Sequence, residues 1–279
     1  MPGQQQKQIV SLGAGYDTRY FMIKSGHLDQ GAPLATKLAR YFEVDFPELA
    51  TKKALTIKRY KDLNQLLGPP DNIKIDKGGM ELSSHDYCLI GEDLRAWNNV
   101  VERLVHYGLD KRQAVLFLVG CRKTKFVECS APTLFLSECV FIYLAPEDSN
   151  TILEWITHNM TNTMFALYEQ IRPEDAFGQM MIRNLRSRNI ELKGIHAFPA
   201  LVDQENRFKN LGWDNATAVD INAIHDQCLT KSDIARMTRL EILDELEEWR
   251  LLAGHYCIAW AYKSKDTKEA FASIQLGPS

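Results

Sequence analysis

No cysteine of this chain stands in a C-x-x-C pair. Cys88, Cys121, Cys129, Cys139, Cys228 and Cys257 are scattered, and the histidines show no ligand spacing around them. That pattern argues against a structural zinc site, and with no secretory signal it reads as the reduced thiols of an intracellular protein. An apolar run able to span a bilayer is also missing, since none approaches the roughly 18 residues a helix needs. The start, MPGQQQKQ, is polar and has no hydrophobic signal region. There is no basic excess: the net charge of -3 offers no footprint for nonspecific nucleic-acid binding. Internal repeats and low-complexity tracts are absent as well. What remains is an ordinary globular composition, 45% hydrophobic and 25% charged, in 279 residues, enough for one large α/β domain or two small ones.

The stretch that organises the rest is Gln8 to Thr18, QIVSLGAGYDT. Ile9, Val10 and Leu12 suit a strand buried on both faces, while Gly13 and Gly15 allow positive φ and leave room for a ligand at the backbone. The loop departs from the dinucleotide pattern G-x-G-x-x-G in two places. Thr18 stands where the third glycine belongs, and Asp17 puts a carboxylate where a pyrophosphate would sit. Two like charges about 4 Å apart repel by roughly 1 kcal/mol in water and about 4 kcal/mol at an effective dielectric near 20. Phosphates are disfavoured, and a cofactor with a cationic end, such as S-adenosylmethionine, is suited. Taken alone, the loop is equally a simple glycine-rich turn.

Downstream the chain keeps an α/β rhythm. Arg19 to Ile23 opens a helix, and Arg40 to Val44 (RYFEV) is a second strand that runs into Asp45. An acid at that strand tip either accepts the hydroxyls of a ribose or caps the helix that Pro47 begins. Leu67 to Met80 reads as a surface loop. Tyr87 to Ile90 is a third strand, followed by Asp93, which either meets an adenine amino group or serves as an N-cap. Leu94 to Tyr107 is an amphipathic helix. Ala114 to Val119 and Thr133 to Leu144 are both apolar runs fit for the fourth strand, and the second is preferred because it runs into Ser137 and Glu138 and then a helix start at Ala145-Pro146. Helices are expected over 147–159, 177–188, 201–210 and 240–252, and strands over 163–169, 213–219 and 255–263. The tail over 264–279 is expected to be loose.

In their order, SLGAGYDTR, YFEVDFPE, IGEDLR, LFLSECVFIYLAPE, YEQ, FGQMM and HYCIAWA resemble the leucine carboxyl methyltransferase family over most of Gln8 to Lys263. The resemblance implies a class I S-adenosylmethionine-dependent methyltransferase fold, α/β, with a seven-stranded, mostly parallel sheet whose last strand is antiparallel and helices on both faces. It implies methylation of the C-terminal leucine carboxylate of the type-2A protein phosphatase catalytic subunit, that subunit being the partner, by a cytoplasmic monomer with no nucleic-acid or membrane partner. Residue by residue, Gly13 matches the glycine at the cofactor's backbone, with Gly15 and Asp17 in the same loop. Asp45 matches the ribose acid, Asp93 and Leu94 the pair around the adenine, and Glu138 the acid near the cofactor's amino-acid end. Tyr143 falls where the family's segment borders the substrate pocket. No general acid or base is implied.

Two departures from the family shape further expectations. Family members carry N-terminal helices that cover the site and supply a lysine and an arginine, whereas only Met1 to Lys7 precede the loop here. The methyltransferase domain is therefore expected over 1–263 without that lid. Ala114 to Ser130 is extra relative to the family and reads as a retained intron or a misplaced exon boundary, which messenger RNA sequenced across Gln113 to Ala131 tests. Two other functions stay open. One is a methyltransferase of the same superfamily acting on a small acid or on a modified guanosine of transfer RNA. The other is a non-catalytic fragment that binds the phosphatase.

Overall fold

A computed structural model describes residues 6–29, 33–111, 113–117, 125–129, 131–240, 245–265 and 271–274. Its strands are β1 (Lys7–Leu12), β2 (Leu38–Asp45), β3 (Lys74–Asp76), β4 (Glu81–Ser83), β5 (Tyr87–Gly91), β6 (Gln113–Phe117), β7 (Lys125–Cys129), β8 (Thr133–Glu138), β9 (Thr163–Gln170), β10 (Asn215–Asp220) and β11 (Tyr256–Lys263). The chain divides into two compact units, Met1–Glu138 with Glu154–Phe165, and Cys139–Leu153 with Ala166–Ser279.

In the first unit the strand order is β3-β4-β5-β2-β1-β8, followed by the beginning of β9. β1 lies at the centre and runs parallel to both β2 and β8, while β2 runs parallel to β5. The apolar run of β1 explains its place, because Val10 and Leu12 are buried and pair with Phe42 and Val44 of β2. A strand in mid-sheet with helices on its faces has no wet side. The helix Pro47–Arg59 begins on a proline and buries Ala50, Ala54 and Ile57. Its stripe joins a cluster with Tyr20, Phe21, Tyr41 and Tyr87. Tyr20 and Tyr87 lie 4.5 Å apart between ring centroids.

Parallel pairing has one geometric consequence that matters for function. Leu12, Asp45, Gly91 and Glu138 all end their strands on the same edge of the sheet, where open α/β sheets receive ligands.

Two expectations are corrected here, and the preference for the second apolar run as the fourth strand is borne out. The stretch Leu67 to Met80, expected as loop, contains β3, which pairs antiparallel with β4, itself antiparallel to β5. Of the two candidates for the fourth strand, β8 takes the place beside β1, whereas β6 pairs with β7 as a separate two-stranded ribbon. The apolar run Thr133 to Leu144 does not continue as a strand. It ends at Glu138 because Cys139 turns to a φ of 50°, and Phe141–Tyr143 form a 3-10 turn.

The second unit contains the rest of β9, then β11, then β10. β10 and β11 are antiparallel, from Asn215 opposite Tyr262 to Asp220 opposite Cys257. Asp175 caps the helix Ala176–Arg186 by accepting from Gly178 N at 2.8 Å. The face of that helix carrying Met181, Ile182 and Leu185 packs on Ile142, Leu192 and Ile195. The single helix expected over 240–252 is replaced by Lys231–Leu240 and Leu246–Ala253, and residues 241–244 lie outside the described residues. Asp220 caps a further helix, Ile221–Gln227. Among the described residues no helix is long and apolar enough to cross a membrane, and no group of His, Cys, Asp and Glu is placed to hold a metal ion.

Candidate active site

A cleft of about 430 Å³ opens in the first unit at the end of β1, lined by Ser11 to Ala14, Tyr16 to Arg19, Met22 and Glu138. The glycine loop forms its floor. Gly13 and Gly15 adopt φ of 65° and 50°, a left-handed backbone that costs glycine little. Gly13 N and Ala14 N donate to Val44 O at 2.8 and 3.2 Å, so the loop rests on the end of β2. A Cβ at Gly15 would meet nothing within 4 Å, so the backbone there faces open space.

Asp45, 7% exposed, ties the loop to its own strand. One carboxylate oxygen accepts from Gly15 N at 2.6 Å and the other from Phe46 N at 2.7 Å. Its side chain does not cap the helix Pro47–Arg59. The carbonyl of Asp45 accepts from Glu92 N at 2.9 Å, which joins the loop after β5 to the same assembly. Gly91 is required at that junction: a Cβ there would lie 2.8 Å from Met80 O and 3.0 Å from Pro47 Cα. Beyond it, Asp93 accepts from Arg95 N, Nε and Nη2, and the guanidinium holds its carboxyl below the usual range. Asp93 is not the N-cap of the helix, which begins at Trp97 after Ala96. Leu94 is buried.

Asp17 is internally committed. Its carboxylate accepts from Arg19 N at 2.9 Å, Arg19 Nη1 at 3.1 Å, Tyr41 OH at 3.0 Å and Ser11 Oγ at 3.4 Å. Burial, followed by the Asp17 and Glu43 charges, pushes the Tyr41 hydroxyl above its ordinary value, so it stays a donor. Arg19 Nη1 also pairs with Glu138, whose side chain remains 47% exposed in the cleft. That hydrogen bond is the chief reason the Arg19 guanidinium is held even more firmly protonated than usual. Below the loop, Lys53 Nζ donates to Asp17 O at 2.8 Å and pairs with the buried Glu43.

The cleft thus brings Gly13, Asp17 and Glu138 together, and hydrogen bonds connect Gly15 to Asp45 and Asp45 to the loop that carries Asp93 and Leu94. Tyr143 belongs to the second unit, on the 3-10 turn Phe141–Tyr143, where it is 40% exposed. Partial burial raises its hydroxyl above the ordinary value. The turn is held by Glu169, which accepts from Val140 N, Phe141 N and Ile142 N at 3.2, 3.0 and 2.9 Å.

Arg19 and Lys53 are not among the residues expected at the site from the sequence. Both left a signal there. Arg19 closes the motif SLGAGYDTR, and Lys53 sits in the buried stripe Ala50, Lys53, Ala54, Ile57 of an amphipathic helix, a spacing that demands a buried partner for its charge.

A model of the leucine carboxyl methyltransferase family matches residues 3–123. The Arabidopsis thaliana leucine carboxyl methyltransferase 1 homolog is 38% identical over 256 residues, a span that covers 92% of this chain and 69% of the plant protein. The chain belongs to the leucine carboxyl methyltransferase family. Human tRNA wybutosine-synthesizing protein 4 is 37% identical over 253 residues, 90% of this chain but 33% of that protein. Among solved structures, Haemonchus contortus phosphoethanolamine N-methyltransferase 2 in complex with S-adenosyl-L-methionine aligns with a TM-score of 0.47 at 10% identity, covering 95% of this chain and 50% of that one.

Methyltransferases of this family use S-adenosylmethionine, and the family's fold is class I, with a mostly parallel sheet. The residues of the cleft fit that cofactor in this family member. Open space over Gly15 leaves room for it, and Glu138 offers an accessible carboxylate to a cationic end.

Proposed function

We propose that the protein transfers the methyl group of S-adenosylmethionine to the C-terminal leucine carboxylate of the type-2A protein phosphatase catalytic subunit, acting as a cytoplasmic monomer. The observation that supports the cofactor's place is the half-exposed carboxylate of Glu138 in one cleft with the open glycine loop, at the sheet edge where β1, β2, β5 and β8 end, and the 38% identity to the Arabidopsis thaliana leucine carboxyl methyltransferase 1 homolog supports the substrate. Bound there, S-adenosylmethionine supplies an electrophilic methyl on a sulfonium. A leucine α-carboxylate is already ionised near neutral pH. The protein's own task is therefore positioning and exclusion of water, with no residue acting as acid or base.

Gly13 and Gly15 present backbone to the cofactor. Asp45, held rigid by Gly15 N and Phe46 N, offers its remaining lone pairs to the ribose hydroxyls. Asp93 and Leu94 border the adenine, Glu138 takes the ammonium and Asp17 holds the loop in shape. Tyr143 is the proposed substrate contact.

A second assignment, methylation of a modified transfer RNA, is supported by the 37% identity to human tRNA wybutosine-synthesizing protein 4. One experiment separates the two: the protein is incubated with methyl-labelled S-adenosylmethionine and, in turn, with phosphatase catalytic subunit, the same subunit lacking its terminal leucine, and transfer RNA. Labelling that depends on the leucine is expected. Labelled transfer RNA with unlabelled phosphatase would replace the first assignment by the second, and cofactor binding with no labelling of either would leave only a binding role.

A further inference from the structure

Arg19 spans two acids in the cleft and still has donors to spare. Its Nη1 bonds to Asp17 at 3.1 Å and to Glu138, while Nε and Nη2 have no partner among the described residues. The side chain is 42% exposed. The two acids differ in how firmly they hold it. Asp17 is itself anchored by Arg19 N, Tyr41 OH and Ser11 Oγ, so it fixes the guanidinium in place. Glu138 is exposed and has no other partner among the described residues. An exposed ion pair of that kind contributes little and exchanges readily.

Arg19, Asp17 and Glu138 together carry one net negative charge. The amino-acid end of S-adenosylmethionine carries an ammonium and a carboxylate beside the sulfonium, one net positive charge. Its zwitterion has the same two signs as the Arg19–Glu138 pair in the opposite arrangement, and a guanidinium with free, forked donors matches a carboxylate's geometry.

We propose that Arg19 binds the carboxylate of the cofactor's amino-acid end while Glu138 receives its ammonium, so that the Arg19–Glu138 pair opens to admit the zwitterion. This rests on the assignment of the cleft to S-adenosylmethionine. It makes Arg19 the residue that selects ligands bearing an amino-acid carboxylate, a role drawn from inside the glycine loop's own motif.

The test is calorimetric titration of the full chain with S-adenosylhomocysteine and with its decarboxylated analogue, which keeps the ammonium and the adenosine. Wild type is expected to prefer the carboxylated ligand by about tenfold or more. In Arg19→Met the affinity for S-adenosylhomocysteine falls by about 10- to 100-fold, while the analogue binds about as before. Arg19→Lys keeps part of the preference, and carries the comparison if the Met variant fails to fold by circular dichroism. Equal losses for both ligands would overturn the inference and leave Arg19 as a support for Glu138. An undiminished preference in both variants would also overturn it while leaving the cofactor assignment standing. If wild type binds neither ligand, the cofactor assignment falls and this inference falls with it.

Discussion

Lys53 Nζ and Glu43 Oε2 meet at 2.5 Å beneath the glycine loop, with both side chains nearly fully buried. Tyr87 OH donates to the same Glu43 oxygen at 2.8 Å, and Lys53 reaches on to Asp17 O. One lysine thus fastens the helix Pro47–Arg59 to β2 and to the glycine loop. Removing one partner leaves an uncompensated buried charge, which costs about 3–5 kcal/mol. Lys53→Met is expected to destabilise by that amount in urea denaturation. The double variant Lys53→Met with Glu43→Gln should lose clearly less than the sum of the single losses. Additive losses would show that the two side chains are not coupled.

Two buried carboxyls set a pH dependence. Glu43 and Glu169 are each pushed up to about 7 from an ordinary 4.5, chiefly by burial, against the opposing pull of Lys53 in one case and Arg207 in the other. Between those values the folded chain binds more protons than the unfolded chain, so stability falls as pH rises. Their contribution is complete below 4.5 and lost as pH climbs through about 7. Asp93 and Asp175, held below 3.8, act in the opposite direction and only in more acid solution. Urea midpoints are therefore expected to drop between about pH 5.5 and pH 8, and to drop less in Glu43→Gln and in Glu169→Gln. The same drop in both variants as in wild type would count against this assignment.

Glu138 and Asp45 separate binding from folding. Glu138 is half exposed, and its pair with Arg19 is worth at most about 1 kcal/mol. Glu138→Ala should melt close to wild type yet bind S-adenosylhomocysteine about tenfold or more weakly. Asp45→Ala strips the acceptors from Gly15 N and Phe46 N, and each orphaned donor costs about 1–3 kcal/mol. It should lose both stability and affinity. Wild-type affinity in both variants would remove these acids from the cofactor site.

What the sequence made legible follows from where each signal lies. β1 and its loop are local: a continuous apolar run, two glycines and an acid define strand, turn and site within a dozen residues. β3 gives no such signal, because Lys74–Asp76 is exposed and mostly polar and is a strand only through pairing with β4. The break after Glu138 is equally silent. Thr133 to Leu144 reads as one apolar run, and the turn that interrupts it is imposed by Glu169, which lies about thirty residues further on. Asp17 illustrates the same limit within the site. Its charge could be read from the chain, but its pairing with Arg19 and its hydrogen bond from Tyr41 required the folded geometry.

The two glycines at the sheet edge predict different behaviour from their surroundings. At Gly91 an added Cβ would strike backbone, Met80 O at 2.8 Å and Pro47 Cα at 3.0 Å, so Gly91→Ala must shift the chain and should cost about 1–3 kcal/mol. Gly15 has the opposite character, with a φ of +50° and nothing within 4 Å of a Cβ. There the penalty is conformational, about 1–2 kcal/mol for alanine in a left-handed backbone, and asparagine tolerates that region better. Gly15→Asn should therefore melt nearer to wild type than Gly15→Ala while projecting a larger side chain into the cleft. If the open space over Gly15 receives the cofactor, S-adenosylhomocysteine should bind the Asn variant no better than the Ala variant despite its greater stability. Wild-type affinity in Gly15→Asn would show that the space over the loop is not where the cofactor lies.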